Sequence, residues 1–437
     1  MEELIIIGGG LAGSEAAWQA AMRGVKVTLC EMRPARTTEA HKTAFLAELV
    51  CSNSFRSSEP LSAPGLLKRE LQAAGSLIMK AAEVSRVPAG TALAVNRELF
   101  SGFITNAISS SPGITVARKE IEEIPDTCAI IATGPLTSPS MTEALRRLIG
   151  QNYLFFYDAI APIVSADSID REKVYFASRY GKGGDDYINC PMSEKEYTAF
   201  HKAVLDADKV GVRDFEDSKV FEGCMPVEVM ALRGRDTLRF GPMKPVGLSD
   251  PKTGREPYAV VQLRPENNEK TAYNMVGFQT RLTWPAQKEV FSLIPGLEGA
   301  EFLRLGSLHR NTFINSPLLL GKDLSLRMRE SVFIAGQITG VEGYLESTAM
   351  GLVAGINAAR RIQGKESVAV PVTTAHGSLM RHITSPVREF QPTNINFGLF
   401  PSLGPEQAGI RDKKLKKKAI VERAGEDWEG YVKRVGQ

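Results

Sequence analysis

Short apolar blocks and polar turns alternate along the start of this chain. Residues Leu4–Ile7 form an apolar run of the length of a buried parallel strand. A helix is predicted over residues 14–23, and residues 25–30 predict a second buried strand that leads into Glu31. The order strand, turn, helix, strand predicts two parallel strands joined by a crossover helix.

Glycines form the turn between the first strand and the first helix. Gly8, Gly10 and Gly13 match the pattern G-x-G-x-x-G. In this pattern the first glycine allows a tight turn, the second lets the backbone approach a pyrophosphate, and the third lets helix and strand pack closely. The helix N-terminus offers N–H groups to a diphosphate, and Glu31 can accept hydrogen bonds from ribose hydroxyls. The segment therefore predicts a site for an adenine dinucleotide.

Apolar blocks of the same kind return much later in the chain. Residues 127–132 predict a further buried strand, and residues 331–335 predict another that opens onto glycine. A helix is predicted behind it over residues 346–361. The candidate cofactor-binding residues are Gly8, Gly9, Gly10, Leu11, Ala12, Gly13, Glu31, Gly336 and Gln337.

The wide separation of these blocks predicts a split fold. We expect an α/β protein with an FAD-binding, Rossmann-like (glutathione-reductase-like) split domain and an inserted α+β domain. A late strand, loop and helix that return to the cofactor are typical of FAD flavoproteins and are not expected of simple NAD dehydrogenases. The predicted parts are residues 1–150, the insertion 151–299, and residues 300–437, which end in a basic tail. No second glycine pattern adjoins a strand, so we expect NADH or NADPH to bind only transiently.

Composition narrows the class of protein. The chain has 437 residues, of which 43% are hydrophobic and 24% charged, as in ordinary globular proteins of two or three domains. No apolar run approaches the length of a membrane span, and Glu2 and Glu3 argue against a signal peptide. Five cysteines without a C-x-x-C pattern indicate reduced thiols in a cytoplasm. We therefore expect a cytoplasmic protein with no metal site and no membrane partner.

The densest basic segment lies in the tail. The net charge is only +3, so binding of nucleic acid would depend on local basic patches. Residues 411–418 hold six bases and one acid. This segment is either a solvated helix face or a contact surface for a polyanion, and we take RNA binding as the hypothesis to test. Its lysine cluster consists of Lys413, Lys414, Lys416, Lys417 and Lys418.

Two cysteines lie in polar surroundings that suit reactive thiols. Cys51 lies in a polar loop soon after the second strand. Cys224 precedes Pro226, which fits the first position of a helix, and Glu228, which suits its first turn. A helix N-terminus lowers the pKa of a thiol placed just before it. The other three cysteines are expected to be buried hydrophobes; they are Cys30, Cys128 and Cys190.

Long segments around these residues resemble one family over essentially the whole chain. The segments are GGGLAGSEAA, CSNSFRS, FEGCMPVEVMALRGRDTLRFGPMKPVGL, YAVVQLRPEN, MVGFQT, LHRNTFINSP and FIAGQITGVEGYLES. They are similar to the TrmFO family of folate- and FAD-dependent tRNA (uracil-5-)-methyltransferases. The related MnmG/GidA family shares the flavin domain, but its chains are longer and it modifies the wobble uridine. Gln337 departs from the glutathione-reductase pattern, in which aspartate follows the glycine.

The resemblance implies an activity and roles for particular residues. It implies C5-methylation of uridine 54 in the T loop of tRNA, with methylenetetrahydrofolate as carbon donor, FAD as cofactor and NADH or NADPH as reductant. Cys224 is implied as the nucleophile that adds to C6 of uracil. Cys51 is implied either in proton transfer at C5 or in protecting Cys224 by reversible pairing. His309 is implied to stack the folate pterin, and no obligate protein partner is expected.

Three other functions remain open on the sequence. An MnmG/GidA-like wobble modifier is disfavoured by the chain length. A generic flavin oxidoreductase acting on a small molecule would leave the two cysteine segments and the basic tail without a role. A flavin-stabilised RNA-binding or scaffold protein would not need the cysteines and the histidine segment together.

Overall fold

The computed structural model describes residues 3–38, 40–150, 153–159, 161–182, 184–210, 225–267, 269–306, 308–387, 390–404, 410 and 412–436, with the side chains of 153–159 and 308–310 left out. Its strands are β1 Leu4–Ile7, β2 Val27–Cys30, β3 Ser54–Ser57, β4 Arg86–Val87, β5 Ala92–Val95, β6 Ile114–Ala117, β7 Ala129–Ile131, β8 Tyr153–Ala159, β9 Ile163–Ser165, β10 Tyr175–Phe176, β11 Ile188–Met192, β12 Ala259–Pro265, β13 Ala272–Met275, β14 Phe302–Arg304, β15 Leu308–Ile314, β16 Ser325–Leu326 and β17 Arg329–Ile334. Its helices are α1 Leu11–Ala21, α2 Ala63–Ala73, α3 Leu77–Val84, α4 Arg97–Ser109, α5 Pro139–Ile149, α6 Glu194–Asp206, α7 Val227–Leu232, α8 Thr237–Phe240, α9 Trp284–Phe291, α10 Ser316–Leu319, α11 Tyr344–Ile362, α12 Ala375–Thr384 and α13 Lys413–Val435.

A mostly parallel sheet forms the centre of the molecule. Its strand order is β16-β17-β7-β1-β2-β6, with only the edge pair β16–β17 antiparallel. The late strand β17 lies beside β7, so the end of the chain completes a sheet that its beginning started. The buried runs of Leu, Ile and Val on these strands suit a sheet covered on both faces. This arrangement confirms the predicted α/β class.

The helices α1 and α11 pack closely against each other beside this sheet, because glycines in α11 meet the backbone of α1. An ideal Cβ on Gly351 of α11 would lie 2.3 Å from the carbonyl oxygen of Ala12 in α1. The same atom on Gly355 would lie 2.5 Å from the carbonyl oxygen of Ala16. Only glycine permits this approach. The helix α11 therefore fixes the position of α1, which begins at the glycine turn.

A second sheet is formed by residues that lie, along the sequence, between the early and the late strands of the first sheet. It is antiparallel, with the order β10-β11-β12-β13-β9-β14, and has a hydrophobic core of its own. The strands β8 and β15 pair with each other where the chain enters and leaves this region. The strand β14, Phe302–Arg304, is hydrogen-bonded to β9 in this sheet. The division of the chain into domains stays a prediction.

The C-terminal helix α13 is anchored by its second half. Trp428 donates a hydrogen bond of 2.7 Å from Nε1 to the carbonyl oxygen of Glu70. Its ring stacks between His376, at 4.2 Å, and Tyr431, at 4.9 Å. Both Trp428 and Tyr431 are buried, so they pack onto the body of the protein. No helix in the part of the chain described above is long and apolar enough to cross a membrane.

Candidate active site

The turn after β1 has the geometry that the glycine pattern predicts. Gly8 has a φ of +104°, and an ideal Cβ on Gly13 would lie 1.8 Å from the carbonyl oxygen of Gly8. Gly10 is the N-cap of α1, with φ −74° and ψ −167°. An ideal Cβ on Gly10 would meet nothing within 4 Å. The space in front of the N-terminus of α1 is therefore open, as backbone contact with a diphosphate requires.

Glu31 lies at the end of β2 and closes the other side of this turn. Its Oε2 accepts a hydrogen bond of 2.9 Å from the Gly9 amide. Arg33, which is also buried, forms an ion pair of 2.9 Å with Glu31 and one of 3.0 Å with Glu48. Burial raises the pKa of Glu31, but hydrogen bonds and charge from Arg33 outweigh burial and hold its pKa below the ordinary value. Glu31 is therefore a carboxylate at neutral pH.

A cleft runs along the carboxyl ends of the parallel strands at this turn. Gly13 does not reach the cleft surface, because it packs on Gly8. The other predicted cofactor residues all line the cleft; they are Gly8, Gly9, Gly10, Leu11, Ala12, Glu31, Gly336 and Gln337.

A second cavity adjoins the first and lies between the parallel sheet and the inserted sheet. The two cavities share wall residues, namely Val50, Pro135, Leu136, Gln337 and Tyr344. Cys51 lines the second cavity, together with Arg264 and Asn274 from the inserted sheet. The geometry thus brings Cys51 to the inner end of the dinucleotide cleft.

The loop that carries Cys51 is held by one phenol group. The hydroxyl oxygen of Tyr344, at the start of α11, accepts hydrogen bonds from the amides of Cys51 (2.9 Å) and Ser52 (3.0 Å). Burial, and next the neighbouring Cys51 thiol, raise the pKa of Tyr344 above its ordinary value. Tyr344 is therefore a neutral phenol. Its oxygen accepts hydrogen bonds from two amides, and its O–H can still donate one.

Arginines hold the same loop from its other side. Arg97 donates a hydrogen bond of 2.8 Å to the carbonyl oxygen of Leu49 and pairs with Glu266 at 2.7 Å. Arg264 donates from Nε to the side-chain oxygen of Asn53 at 2.9 Å. Asn53 is fully buried and also donates from Nδ2 to the carbonyl oxygen of Pro265 at 3.1 Å, so it fixes this loop to the inserted sheet.

A buried charge cluster supports the wall of the second cavity. Arg56 lines the cavity and pairs with Glu346, whose side chain is fully buried. Arg56 has a left-handed φ of 62°, which is costly for a side chain of its size. Lys68 donates from Nζ to the carbonyl oxygens of Arg56 (3.0 Å) and Ser57. Burial, and next the charge of Arg56, lower the pKa of Lys68 from 10.5 to about 7.

The structure leaves the predicted nucleophile untested. Cys224 lies outside the described residues, which resume at Met225. The helix after it is short, Val227–Leu232, and Pro226 is its N-cap where the sequence predicted the first helical position. A helix of six residues, less than two turns, has a weak dipole, so the helix argument for a lowered thiol pKa loses force. Val227 donates a hydrogen bond of 2.8 Å to the carbonyl oxygen of Gln279, which lines the second cavity.

The predicted folate and RNA residues fall in different places. His309 lies on β15 opposite Asp158, and its side chain is outside the described part. Asn311, two positions later, is buried and lines the second cavity. The lysine cluster lies on the first turns of α13, where all five side chains are exposed. Asp412 caps this helix by accepting hydrogen bonds from two of its amides.

Sequence reasoning missed several residues of the site. Arg33 and Tyr344 follow recognisable signals, because one comes just after the acid of β2 and the other begins the helix after Gly336. Arg264 and Asn274 gave no such signal: they lie on strands of the inserted sheet and reach the site only through the fold.

The glycine turn, the parallel sheet and the returning late strand define a protein of the FAD-binding Rossmann-like class. The family described as GIDA, glucose inhibited division protein A, matches residues 3–366. The solved structure of Aquifex aeolicus GidA in its form II crystal has a TM-score of 0.71, with 17% identity over 99% of this chain and 74% of that chain. At this identity the likeness shows the fold, and it confirms the predicted fold class.

Relatives of higher identity carry one name, "Methylenetetrahydrofolate--tRNA-(uracil-5-)-methyltransferase TrmFO". The protein from Geobacter sulfurreducens is 60% identical over 421 residues, which cover 95% of this chain and 97% of the relative. The protein from Moorella thermoacetica is 56% identical over 429 residues, 98% of each chain. This chain therefore belongs to the TrmFO family, and the resemblance seen in the sequence is confirmed.

Proposed function

We propose that this protein methylates C5 of uridine 54 in the T loop of tRNA, with methylenetetrahydrofolate as the carbon donor and FAD as the bound cofactor. The observation that carries this function is the cavity lined by Cys51, which adjoins a dinucleotide cleft. The chain is also 60% identical to a protein whose name states a methylenetetrahydrofolate-dependent uracil-5-methylation of tRNA. A generic flavin oxidoreductase would not need a thiol at this position.

The first cleft fits FAD. The open space before Gly10 accepts a diphosphate, and Glu31 offers carboxylate oxygens to a ribose. Gly336 and Gln337 line the part of the cleft nearer the second cavity. FAD bound in this cleft and reduced by NADH or NADPH, the proposed reductants, would supply the electrons that complete the methyl group.

The two cysteines are proposed to activate the uracil ring for methylation. Uracil C5 is a weak nucleophile, and a thiolate that adds at C6 makes C5 an enolate-like carbon nucleophile. We assign this addition to Cys224, because the resemblance to the family implies that role and the nearby Val227 is hydrogen-bonded to the cavity residue Gln279. Cys51 lines the same cavity and either transfers the proton at C5 or protects Cys224 by reversible pairing.

Folate and RNA have separate proposed contacts. His309 is proposed to stack the pterin ring, and its neighbour Asn311 lines the second cavity. The target base lies inside a folded tRNA, so it must be turned outward to enter this cavity. The lysine cluster on α13 is proposed to contact tRNA phosphates, which would contribute affinity rather than base recognition.

A fluorinated substrate tests the proposed reaction. Fluorine at C5 cannot leave as a proton does, so a T-arm hairpin with 5-fluorouridine at the target position should remain covalently bound in the presence of folate and reductant. We expect an adduct with the wild-type protein, none with Cys224→Ala, and flavin content unchanged in that variant. An adduct that persists in Cys224→Ala would show that the nucleophile is assigned wrongly. An adduct formed with an anticodon hairpin and not with the T arm would favour the wobble modifier.

A further inference from the structure

Two hydrogen-bond donors face the second cavity without acceptors. Asn274 on β13 is 3% exposed, and its Nδ2 has no hydrogen-bond partner in the part of the chain described. Arg264 lies directly opposite it on β12. Side chains of opposed residues lie on the same face of a sheet, about 5 Å apart at Cβ. Both residues line the second cavity, so the two donors converge on one place.

Arg264 is a buried cation that forms no ion pair with any carboxylate among the described residues. Its side chain is 7% exposed, and burial lowers the pKa of its guanidinium below the ordinary value. Its bonds go to neutral groups, from Nε to Asn53 at 2.9 Å and from Nη2 to the Ser52 hydroxyl at 2.8 Å. Glu266, the acid that acts on it electrostatically, is ion-paired to Arg97. Within the described residues the remaining nitrogen, Nη1, has no acceptor.

Such a site favours an acceptor from outside the described residues. A buried donor left without a partner costs free energy, and a buried charge costs more, so a ligand that supplies oxygen recovers this energy. A guanidinium beside an amide N–H suits a carbonyl oxygen that gains negative charge. The site lies close to Cys51, because Arg264 is hydrogen-bonded to the side chain of Ser52, the next residue in the chain.

We propose that Arg264 and Asn274 form a carbonyl-binding pair that receives O4 of the target uracil. This inference rests on the proposed function. When the thiolate adds to C6, its electron pair forms the S–C6 bond, the C5=C6 pair becomes the C4=C5 bond, and the C4=O4 pair moves onto O4. The charge of the thiolate thus moves to O4, with no net oxidation and no proton transferred. Donors placed at O4 stabilise this charge in the way that an oxyanion hole does.

Substitution of either donor should slow addition more than it weakens RNA binding. Loss of one oxyanion donor costs about 10²–10³ in rate, so Arg264→Gln should form the 5-fluorouridine adduct about 100-fold more slowly. Affinity for the hairpin should change little, because phosphate contacts dominate it. Asn274→Asp is nearly the same shape, yet it replaces the amide donor with a carboxylate that would pair with Arg264, so it should be at least as slow.

Chemical rescue separates charge stabilisation from a merely structural role. Added methylguanidinium should restore part of the adduct rate of Arg264→Ala, and Arg264→Lys should keep more of the rate than Arg264→Gln. Arg179→Gln is the matched control, since Arg179 also lies in the inserted region, bonds to neutral acceptors and does not line the cavity. Its adduct rate should equal that of the wild type.

Other outcomes would overturn the carbonyl pair. An Arg264→Gln adduct rate equal to that of the wild type would do so and would leave the proposed methyltransferase standing. An unchanged adduct rate together with weaker sulfite binding to the flavin of Arg264→Gln, seen as less bleaching of the visible absorbance, would also overturn it. Arg264 would then stabilise negative charge on the flavin ring and not on O4. Absence of any adduct in the wild type would overturn the pair and the proposed reaction together.

Discussion

Replacement of Gly10 by valine should remove FAD and leave the protein folded. Gly10 has an extended backbone that any residue adopts, and an ideal Cβ there meets nothing within 4 Å of the protein. The cost to the fold is that of a poorer N-cap, about 1 kcal/mol or less. The cost to FAD is larger, because the side chain keeps the diphosphate from the N–H groups of α1. Two lost hydrogen bonds to a charged group amount to roughly 3–6 kcal/mol, or about 10²–10⁴ in Kd.

Two controls make this prediction specific. Gly102→Val also introduces a side chain that meets nothing within 4 Å, but Gly102 does not line the cleft, so FAD affinity should be kept. Gly13→Ala should instead destabilise the apoprotein, because its Cβ would lie 1.8 Å from the carbonyl oxygen of Gly8. FAD titration followed by flavin fluorescence, with urea unfolding of each apoprotein, checks all three. Wild-type FAD affinity in Gly10→Val would refute the placement of the diphosphate.

Two further predictions concern charged side chains. Conversion of the whole lysine cluster to alanine should reduce the steepness of the slope of log affinity for tRNA against log salt by about 3.5–4.5, from roughly 0.7–0.9 for each of the five charges; a wild-type slope would make the cluster a solvated surface. Since the pKa of Lys68 falls from 10.5 to about 7 on folding, the unfolded chain binds more protons between these values and stability should rise with pH there. Lys68→Met should remove this rise in urea unfolding, and a rise of the same size in that variant would contradict the assignment.

Local chemistry explains which parts of the fold the sequence could predict. The strand β1 and the glycine turn follow from neighbouring residues, and the structure has β1 over the predicted residues. The helix α1 begins at Leu11, earlier than the predicted residues 14–23, because Gly10 serves as its N-cap. The helix α11 likewise begins at Tyr344, two residues before the predicted start. Helix ends depend on caps that patterns of apolar residues do not reveal.

The second cavity could not be predicted because distant parts of the chain build it. Arg264 bonds to Asn53, which is 211 positions away, and Tyr344 bonds to the amide of Cys51, 293 positions away. Such contacts depend on the packing of segments that are far apart in the sequence, which no local pattern encodes. Trp428 likewise bonds to the carbonyl oxygen of Glu70, which is 358 positions away.

The proposed reaction moves a carbon atom from folate to a T-loop uridine. The most direct measurement is a reaction of the FAD-loaded protein with unmodified tRNA, reductant and methylenetetrahydrofolate labelled at its transferred carbon, followed by nucleoside mass spectrometry. We expect labelled 5-methyluridine, one per tRNA, which is lost when the T-loop uridine is replaced by cytidine. Label at the wobble uridine would contradict this reaction, and so would the absence of label in tRNA treated with protein that retains its FAD.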